Sequence, residues 1–485
     1  MNYFEVNNKP LDESQIKAIT NSSTNNLIIA SAGSGKTTTI IGKVKYLLLK
    51  ENYKSEDLLI LSFTRNTAKE MKERIFNETK EDIDIMTFHK LGLEIVKNNI
   101  KDANILEYNY SILKDIIIVL LKEEEFKNNF LRFMYNIKND KKLEICKDLF
   151  ISELYLIFDF LELVSNFINL MKQNNFSIDD LREKSSKKRW TLFLTLLIPI
   201  YNEYQNVLRT NNLLDFNDMI NLATNLITTN TVKVNYKYLI VDEYQDISRS
   251  RYKLLKSIKD QNSSNLFCVG DDFQCIFSFA GSNLDYFVNF DKYFGEYEKN
   301  VINTTYRFNQ NIANISGKFI TKNPYQIKKV IKSNLKDNNS LKIISNSDIT
   351  KYLSALPYHS TVLFLGRYNS DLELIKDFYI DYKNSEIIYD KRIDLRMKFM
   401  TIHESKGLEA DYVIVLNNTN LKKGFPSHIE NNEIIDVIST RGEKYPYAEE
   451  RRLFYVAITR GKKETCLIEV KNHHSIFLKE IKKLL

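Results

Sequence analysis

Short apolar runs, separated by stretches with helical periodicity, divide the chain into two blocks. The runs of the first block span 26–29, 57–64, 83–89, 236–243 and 265–271, and those of the second span 341–345, 361–367, 398–403, 411–416 and 465–470. Short continuous apolar runs are typical of strands that helices cover on both faces, as in parallel sheets. The pattern therefore predicts an α/β protein with two parallel-sheet domains.

Residues 100–230, which lie between strands of the first block, carry helical periodicity and almost no strand signal. This pattern predicts a helical insertion within the first α/β domain. The stretch 149–171 is long enough to cross a bilayer, but Glu153, Asp159 and Glu162 interrupt it. Each charge costs about 2 to 3 kcal/mol near the centre of a membrane helix, so we expect a packed helix instead.

The rest of the sequence gives no sign of a membrane or an export route. The apolar stretch 191–201 contains Pro199 and is too short to span, because a crossing helix needs about 20 residues. Residues 1–10 do not combine a basic segment with an apolar one, so a signal peptide is not indicated. We therefore expect a cytoplasmic protein with no membrane partner.

The cysteine content and the net charge exclude some kinds of site but do not identify the function. Four cysteines occur in 485 residues and none belongs to a Cys-x-x-Cys pair, which argues against zinc and iron–sulfur sites. The formal net charge of +7 permits a polyanionic partner without requiring one. Function has to be inferred from local motifs instead.

Residues 30–39, ASAGSGKTTT, lie between the apolar run 26–29 and the periodic segment 37–49. A strand that turns through glycines into a helix is the setting of a phosphate-binding loop, or P-loop. Lys36 can reach the β- and γ-phosphates, and the Thr37 hydroxyl can bind Mg²⁺. A small-residue turn can be purely structural, but the Lys-Thr pair favours nucleotide binding. The loop residues predicted to hold the nucleotide are Ala32, Gly33, Ser34, Gly35, Lys36, Thr37 and Thr38.

A second chemical stretch, LIVDEYQDIS, covers residues 239–248. An apolar strand delivers Asp242 and Glu243 to its carboxyl end, the edge at which open α/β sheets bind ligands. Asp242 can hold the water shell of Mg²⁺, and Glu243 can orient and deprotonate the attacking water. Adjacent acids after a strand are common at surfaces, but together with the P-loop they predict an ATPase.

With these two motifs included, the chain resembles superfamily 1 DNA helicases of the UvrD/Rep type, and its motifs occur in that family's order. The matching segments are LDESQIKAI (11–19), LSFTRNTAKEMKERI (61–75), MTFHKLG (86–92), LDFNDMI (214–220), VGDDFQCIFSFAGS (269–282), TTYRFNQ (304–310), TIHESKGLEADYVIVL (401–416) and EERRLFYVAITRGKK (449–463). Within the family, the wording of residues 304–330 looks most like the helicase IV type.

The resemblance implies two RecA-like P-loop domains, called 1A and 2A, with ATP and Mg²⁺ as cofactors. Larger relatives insert a helical subdomain, 2B, between the positions of Arg307 and His403, where this chain has only about a hundred residues. No large 2B insertion is therefore expected. The implied boundaries are 1–99 and 213–300 for domain 1A, 100–212 for the helical subdomain 1B, and 301–485 for domain 2A.

The resemblance also implies nucleotide contacts outside the P-loop. They are Gln15 and Tyr306 to adenine, Glu409 to ribose, and Gln274, Arg307 and Arg460 to the γ-phosphate. Arg307 and Arg460 lie in the second block and Lys36 in the first, so ATP bound between the blocks would give both arginines a phosphate to approach. Surface salt bridges are the ordinary role of such arginines, and their motif positions favour the catalytic one.

For DNA, the resemblance implies a track that combines stacking aromatics with polar and basic groups. The residues implied are Phe63, Thr64, Arg65, Thr87, His89, Phe279 and His403. Taken singly, an aromatic residue after a strand usually packs in a core. Phe279 stands where many members carry Trp, and Ala280 where many carry Arg, so the platform is expected to remain while the role of the arginine is in question.

The expected function is an ATP-dependent 3'-to-5' single-stranded DNA translocase or helicase, acting in DNA repair, recombination or phage defence. Its expected partners are single-stranded DNA, tailed duplex DNA and a possible nuclease or effector protein. Two alternatives are an ATP-gated DNA-binding partner of a nuclease or other effector, with little unwinding of its own, and a structural scaffold. DNA-stimulated ATPase activity would separate the helicase from the scaffold.

Overall fold

The computed structural model describes residues 3–99, 104–137, 140–150, 155–335, 341–375, 378–381, 384–430, 432–439 and 443–485. The elements of the first hundred residues are β1 (Glu5–Val6), β2 (Lys9–Pro10), α1 (Glu13–Thr20), β3 (Asn25–Ala30), α2 (Lys36–Leu49), β4 (Leu58–Ser62), α3 (Arg65–Thr79), β5 (Asp84–Thr87) and α4 (Phe88–Lys97). Every residue of β3 and β4 is buried, as the continuous apolar runs predict.

A helical region follows. Its elements are β6 (Asn104–Ile105), α5 (Tyr110–Leu120), α6 (Glu124–Met134), α7 (Asp140–Phe150), α8 (Tyr155–Gln173), α9 (Ile178–Lys184), α10 (Lys188–Thr210) and β7 (Leu213–Leu214). Strands β6 and β7 pair in parallel, with Asn104 opposite Leu213. The two ends of the helical region therefore lie side by side, as an insertion into another domain requires.

The helical region has an aromatic core, which Ile434 and Ile438 of the second domain also join. Phe160 and Phe167 of α8 and Trp190 and Phe193 of α10 are all buried in it. The apolar stretch 149–171, predicted as a packed helix, thus contributes buried rings from α8. Residues 151–154 of this stretch lie outside the described residues. Pro199 lies inside α10. In the part of the chain that the structure describes, no helix is both long and apolar enough to cross a membrane.

The chain then completes the first sheet. The elements are α11 (Phe216–Thr228), β8 (Tyr238–Val241), α12 (Arg249–Asn262), β9 (Asn265–Gly270), α13 (Asp285–Val288), α14 (Phe290–Phe294) and β10 (Glu298–Ile302). The sheet order is β10-β3-β9-β8-β4-β5, and every pair is parallel. The apolar pattern did not predict β10, and the expected domain boundary after residue 300 falls inside it. The first domain extends to Ile302.

The second α/β domain forms the remainder of the chain. Its elements are β11 (Thr304–Thr305), α15 (Gln310–Ile320), β12 (Lys332–Ser333), β13 (Leu341–Ser345), α16 (Ile349–Ser354), β14 (Thr361–Gly366), β15 (Tyr379–Asp381), β16 (Glu386–Ile388), β17 (Arg396–Thr401), β18 (Ala410–Val415), α17 (Glu433–Ile438), α18 (Ala448–Ile458), β19 (Gly461–Glu469) and α19 (Ile476–Lys482). The sheet order is β13-β19-β18-β14-β17-β16-β15. Strands β16 and β15 add to it in antiparallel fashion, whereas the other five strands are parallel.

No large insertion interrupts the second domain among the residues that the structure describes. Between Arg307 and His403 the chain forms the helices α15 and α16 and the strands β12 to β17. The hairpin β15–β16 is the most prominent addition between β14 and β17. The expectation of two RecA-like domains without a large 2B insertion is therefore confirmed for these residues.

The two α/β domains share an apolar contact. Ala32 and Phe273 of the first domain cluster with Phe308, Ile312 and Tyr455 of the second, and all five are buried. The Phe273 and Tyr455 rings meet edge to face at 5.2 Å. This contact holds the carboxyl edge of the first sheet against the second domain, where the predicted nucleotide residues lie.

Candidate nucleotide and DNA sites

The P-loop connects β3 to α2 through two glycines with left-handed backbone. Gly33 has φ +73° and Gly35 has φ +77°, a region that side chains disfavour. A Cβ atom on Gly33 would lie 2.6 Å from the Cβ of Arg307, so the loop needs glycine to let the second domain approach. The Tyr306 backbone N–H donates to the Gly33 carbonyl at 2.9 Å. The loop is thus already in contact with the second domain.

Lys36 and Glu243 form an ion pair with 2.5 Å between Nζ and Oε1. Burial opposes the charge of Lys36, but Glu243 and Asp242 raise the pKa of its ammonium group. Although burial also opposes ionisation of Glu243, Lys36 and Lys406 lower the pKa of that carboxyl. Burial and the neighbouring Glu243 raise the pKa of Asp242. The site therefore holds a charged lysine and a charged glutamate beside a buried second acid.

Glu243 occupies a strained backbone position at the end of β8. Its φ of 49° and ψ of 37° lie in the left-handed region, which costs a residue with a side chain about 1 to 3 kcal/mol. Gln245 Nε2 donates to Glu243 Oε2 at 2.5 Å and the Glu243 N–H donates to Asp242 Oδ1 at 2.9 Å. The Gln245 contact and the ion pair with Lys36 hold the two carboxylate oxygens of Glu243 at the P-loop.

Gln274 and Arg460 meet across the interface between the domains. Arg460 Nη2 donates to Gln274 Oε1 at 3.0 Å, and Gln274 Nε2 donates to Asp271 Oδ2 at 2.6 Å. Arg460 is 1% exposed, and burial, with a contribution from Arg307, lowers its pKa to about 9. Among the described residues, no carboxylate forms an ion pair with Arg460. A buried guanidinium without an anion is costly, and a phosphate would compensate it.

Arg307 lies in the same interface with different partners. Its Nε donates to Glu409 Oε2 at 2.8 Å and its Nη1 to the Thr459 carbonyl oxygen at 3.3 Å. Lys462 contacts the other oxygen of Glu409 at 2.8 Å. The residue predicted to bind ribose is thus paired with one of the predicted γ-phosphate arginines.

The residues predicted to contact adenine also lie together. Gln15 Nε2 donates to the Ser34 carbonyl at 3.3 Å, and Gln15 forms a capping box with Asp12 at the start of α1. The Tyr306 hydroxyl donates to Asp12 Oδ2 at 2.8 Å, while its side chain remains half exposed. The tyrosine of the second domain therefore reaches the helix that carries Gln15, beside the P-loop.

The structure brings in charged residues that sequence reasoning missed. Lys406 of the second domain contacts Asp246 Oδ2 and donates to the Gln274 carbonyl at 2.8 Å. Lys329 contacts Asp271 and Asp272 at the end of β9. Lys406 lies inside a motif already quoted, but these pairings join residues far apart in the chain. Only the packing of the two domains reveals them.

The predicted DNA residues form two groups. In the first, Phe279 is 59% exposed and its ring lies edge to face with His403 of the second domain at 5.3 Å. Phe277 extends this aromatic group, with 5.9 Å between its ring and that of Phe279. Burial and Arg367 lower the pKa of His403 to about 4, so the imidazole is neutral at pH 7. An exposed ring beside a neutral imidazole is suited to base stacking.

In the second group, most side chains pack within the first domain or cap its helices. Phe63 is half buried between Phe88, 5.6 Å away, and the guanidinium of Arg251, 4.9 Å away. Thr87 is buried and accepts the Lys90 N–H that caps α4.

Thr64 has the same capping role at α3, but it and Arg65 are exposed. His89 is half buried against Phe216, and burial, with Arg251, lowers its pKa to about 4. Of the second group, Thr64 and Arg65 are therefore the accessible members.

A groove of about 1130 Å³ opens beside Phe279 and His403 and extends to α17 and α18. Its walls mix charges of both signs, with more acids than bases. The charged lining residues are Asp285, Arg367, Glu430, Glu433, Asp436, Glu443, Glu449, Glu450 and Arg452. Such walls do not attract phosphates strongly, so stacking on aromatic rings is the interaction that this end of the site offers a single strand.

Comparison with known proteins identifies the family of the chain. The UvrD/REP helicase N-terminal domain matches residues 11–295, and the UvrD-like helicase C-terminal domain matches 369–472. DNA helicase IV of Escherichia coli (strain K12) is 29% identical, across 99% of this chain and 71% of the relative.

Two further relatives match over a smaller share of their length. The ATP-dependent DNA helicase Rep of Buchnera aphidicola subsp. Acyrthosiphon pisum is 32% identical across 66% of this chain and 46% of the relative. The ATP-dependent DNA helicase PcrA of Staphylococcus epidermidis is 26% identical across 65% of this chain and 40% of the relative. The chain thus spans less than half of the Rep and PcrA relatives. Since the first family model covers more than half of its residues, the chain belongs to the UvrD/REP family of DNA helicases.

Proposed function

We propose that the chain is an ATP-dependent translocase that moves 3' to 5' along single-stranded DNA and unwinds tailed duplex DNA. The observation that carries the proposal is Arg460, a buried guanidinium of the second domain that contacts Gln274 and lacks a carboxylate partner among the described residues. It lies in the same interface as the Lys36–Glu243 pair. A γ-phosphate bound there supplies the missing anion and links hydrolysis to both domains.

In this proposal the nucleotide lies between the P-loop and the second domain. Lys36 leaves Glu243 for the β- and γ-phosphates, and the released Glu243 carboxylate accepts a proton from the attacking water. Arg307 and Arg460 stabilise the charge that develops on the γ-phosphate, with Gln274 as the sensor between them. The remaining contacts are the P-loop backbone of Ala32, Gly33, Ser34 and Gly35, the hydroxyl of Thr38, Gln15 and Tyr306 for adenine, and Glu409 for ribose.

The donor set also fits Mg²⁺. Asp242 is 2% exposed and beside Glu243, so its carboxylate gains from a cation. Thr37 and Asp242 supply hard oxygen ligands, which Mg²⁺ prefers in small number together with phosphate oxygens and water. Among the described residues there is no cluster of three or more acidic, His or Cys ligands, so a metal cage built from protein alone is not expected. When bound, Mg²⁺ neutralises charge on the phosphates.

Movement on DNA follows from the position of Phe279 and His403. One belongs to the first domain and the other to the second, and their rings touch. Closing and opening of the interface around ATP therefore changes the distance between two surfaces that contact DNA bases. Phe279 and His403 serve as the stacking platform, Thr64 and Arg65 contact the backbone, and Phe63, Thr87 and His89 shape the floor of the track.

The 3'-to-5' direction follows the polarity of the family. Inserted 2B subdomains regulate unwinding in the larger relatives, so the lack of a large 2B insertion among the described residues supports a motor without that regulation. Long duplexes then require a partner or several molecules. The work of such a motor fits DNA repair, recombination or phage defence.

The direct test compares ATP hydrolysis with and without single-stranded DNA. Wild-type protein is expected to show a low basal rate that DNA raises, and Glu243→Gln to show neither. Equal rates with and without DNA would contradict a DNA motor. Strong stimulation without strand displacement on any substrate would instead favour an ATP-gated binding partner of an effector.

A further inference from the structure

Lys329 lies between α15 and β12 in the second domain, yet its side chain is buried against the first. The side chain is 1% exposed. Its ammonium nitrogen lies 2.6 Å from Asp271 Oδ1 and 2.8 Å from Asp272 Oδ1, and it donates to the Ala30 carbonyl at 2.7 Å. The centre of the Phe273 ring is 4.0 Å away. Lys329 thus joins the start of the P-loop to the end of β9.

The positive charge of Lys329 compensates two buried carboxylates. Burial opposes the charge, but Asp271 and Asp272 raise the pKa of the ammonium group above its ordinary value. Both carboxylates are themselves fully buried. Two adjacent buried carboxylates repel one another unless a cation lies between them, and Lys329 is that cation.

The contacts of Asp271 continue toward the predicted γ-phosphate residues. One oxygen of Asp271 contacts Lys329, and the other accepts from Gln274 Nε2 at 2.6 Å. Gln274 Oε1 in turn accepts from Arg460 Nη2 at 3.0 Å. A carboxylate accepts only and a guanidinium donates only, so this arrangement allows a single orientation of the Gln274 amide. Rotation of Asp271 would release that amide.

We propose that Lys329 is a positioning residue for ATP hydrolysis, which holds Asp271 so that Gln274 and Arg460 keep the orientation in which they meet the γ-phosphate. This inference rests on the proposed ATPase function. It extends the site to a residue that is not among the predicted nucleotide contacts and that follows the TTYRFNQ motif (304–310) in the chain. The alternative is that Lys329 only stabilises the contact between the domains.

The test replaces Lys329 by Met, which keeps the length of the side chain and removes the charge. Lys328→Met is the matched control, because Lys328 is the next residue and is exposed. Measured with saturating single-stranded DNA, kcat of Lys329→Met is expected to fall by about 10- to 100-fold. Its KM for ATP stays within about threefold, since the lost contact does not touch the nucleotide. Lys328→Met is expected to behave as wild type.

A double-mutant cycle separates positioning from stability. If Lys329 acts through Gln274, Lys329→Met lowers kcat no further in a Gln274→Ala background. A full additional loss in that background would overturn the proposal, as would a single variant with kcat within about twofold of wild type.

Folding is controlled by a second variant. Lys329→Met combined with Asp272→Asn removes one of the unpaired carboxylates and keeps Asp271, and it is expected to show the same loss of kcat. Failure of both variants to fold would assign Lys329 to stability and overturn the proposal. Wild-type protein without DNA-stimulated hydrolysis would contradict the proposed function itself, a result distinct from all of these.

Discussion

The nucleotide interface and the DNA track differ in how the predicted residues come together. In the interface, residues from distant motifs meet in one network, from Lys36 and Glu243 in the first domain to Arg460 in the second. In the track, the residues divide between an exposed pair, Phe279 with His403, and side chains that pack or cap.

The difference has a physical cause. A charged group in a buried interface needs a partner of opposite charge or a hydrogen bond. The charged residues that suit phosphate chemistry are therefore expected to lie close to one another. An aromatic ring is stable either in a core or on an exposed platform, and its identity does not decide between them. The motif sequences therefore predict which side chains lie together at the nucleotide interface better than they predict which ones are exposed in the DNA track.

The largest effect is expected from Arg460 in the interface. Arg460→Ala should lower kcat for ATP by about 10³- to 10⁵-fold, because it removes a guanidinium that stabilises the transition state. Arg396→Ala, at an exposed arginine of β17, is the control and should leave kcat unchanged. A steady-state ATPase assay with thermal melts of both variants checks this. An Arg460→Ala rate within tenfold of wild type would remove the arginine from catalysis.

The next effect separates the two partners of the ion pair. Glu243→Gln should bind ATP yet hydrolyse it about 10²- to 10⁴-fold more slowly, because an amide cannot accept the proton of the attacking water. Lys36→Ala should instead weaken nucleotide binding itself. Equilibrium binding of a fluorescent ATP analogue and single-turnover hydrolysis distinguish these outcomes. Near-normal turnover by Glu243→Gln would exclude it as the general base.

A smaller effect is expected from Phe279 and Phe63, of which the first should affect DNA binding and the second stability. Phe279→Ala should weaken single-strand binding by about 1 to 3 kcal/mol, the value of one stacked base, with an unchanged melting temperature. Phe63→Ala should lower the free energy of unfolding by part of the about 3 to 5 kcal/mol that a fully buried Phe contributes.

Fluorescence anisotropy with a labelled oligonucleotide and thermal melts test both phenylalanines. If Phe279→Ala lost stability while its DNA affinity persisted, the platform would be wrong.

The smallest effect concerns pH. His403 and His89 have pKa values lowered to about 4, first by burial and then by neighbouring arginines. Both imidazoles therefore stay neutral from pH 8 down to about 5.5 and gain a positive charge only below that range. Single-strand affinity without ATP should accordingly be flat over this interval. A rise in affinity as the pH falls from 7 to 6, lost in His403→Gln, would show that this histidine titrates near its ordinary value.

Much of the fold could be predicted because buried parallel strands leave continuous apolar runs. All ten predicted runs overlap a strand of the two sheets. Strand β10 was missed because its sequence, EKNVI, lacks such a run, although it pairs with β3 along its whole length. The antiparallel strands β16 and β15, which end the second sheet on one side, were missed because each has only three residues.

The P-loop and the adjacent acids Asp242 and Glu243 could be proposed as a site from the sequence, because each motif consists of neighbours in the chain. Lys329 could not, since Lys328 and Lys329 are the same residue type and only the fold buries one of them. The ion pair of Arg307 with Glu409 likewise joins two residues that were predicted separately, as a γ-phosphate contact and a ribose contact. Long-range partners of charged groups are thus what the structure adds.

Strand displacement tests whether ATP hydrolysis between the two domains drives movement along a single strand. Matched short duplexes with a 3' tail, a 5' tail or blunt ends are incubated with protein and ATP, with Glu243→Gln as the control. Wild-type protein is expected to displace the strand from the 3'-tailed substrate and little from the other two, and Glu243→Gln is expected to displace none. Preferential displacement from the 5' tail, or equal displacement by the Glu243→Gln variant, would contradict the proposed function.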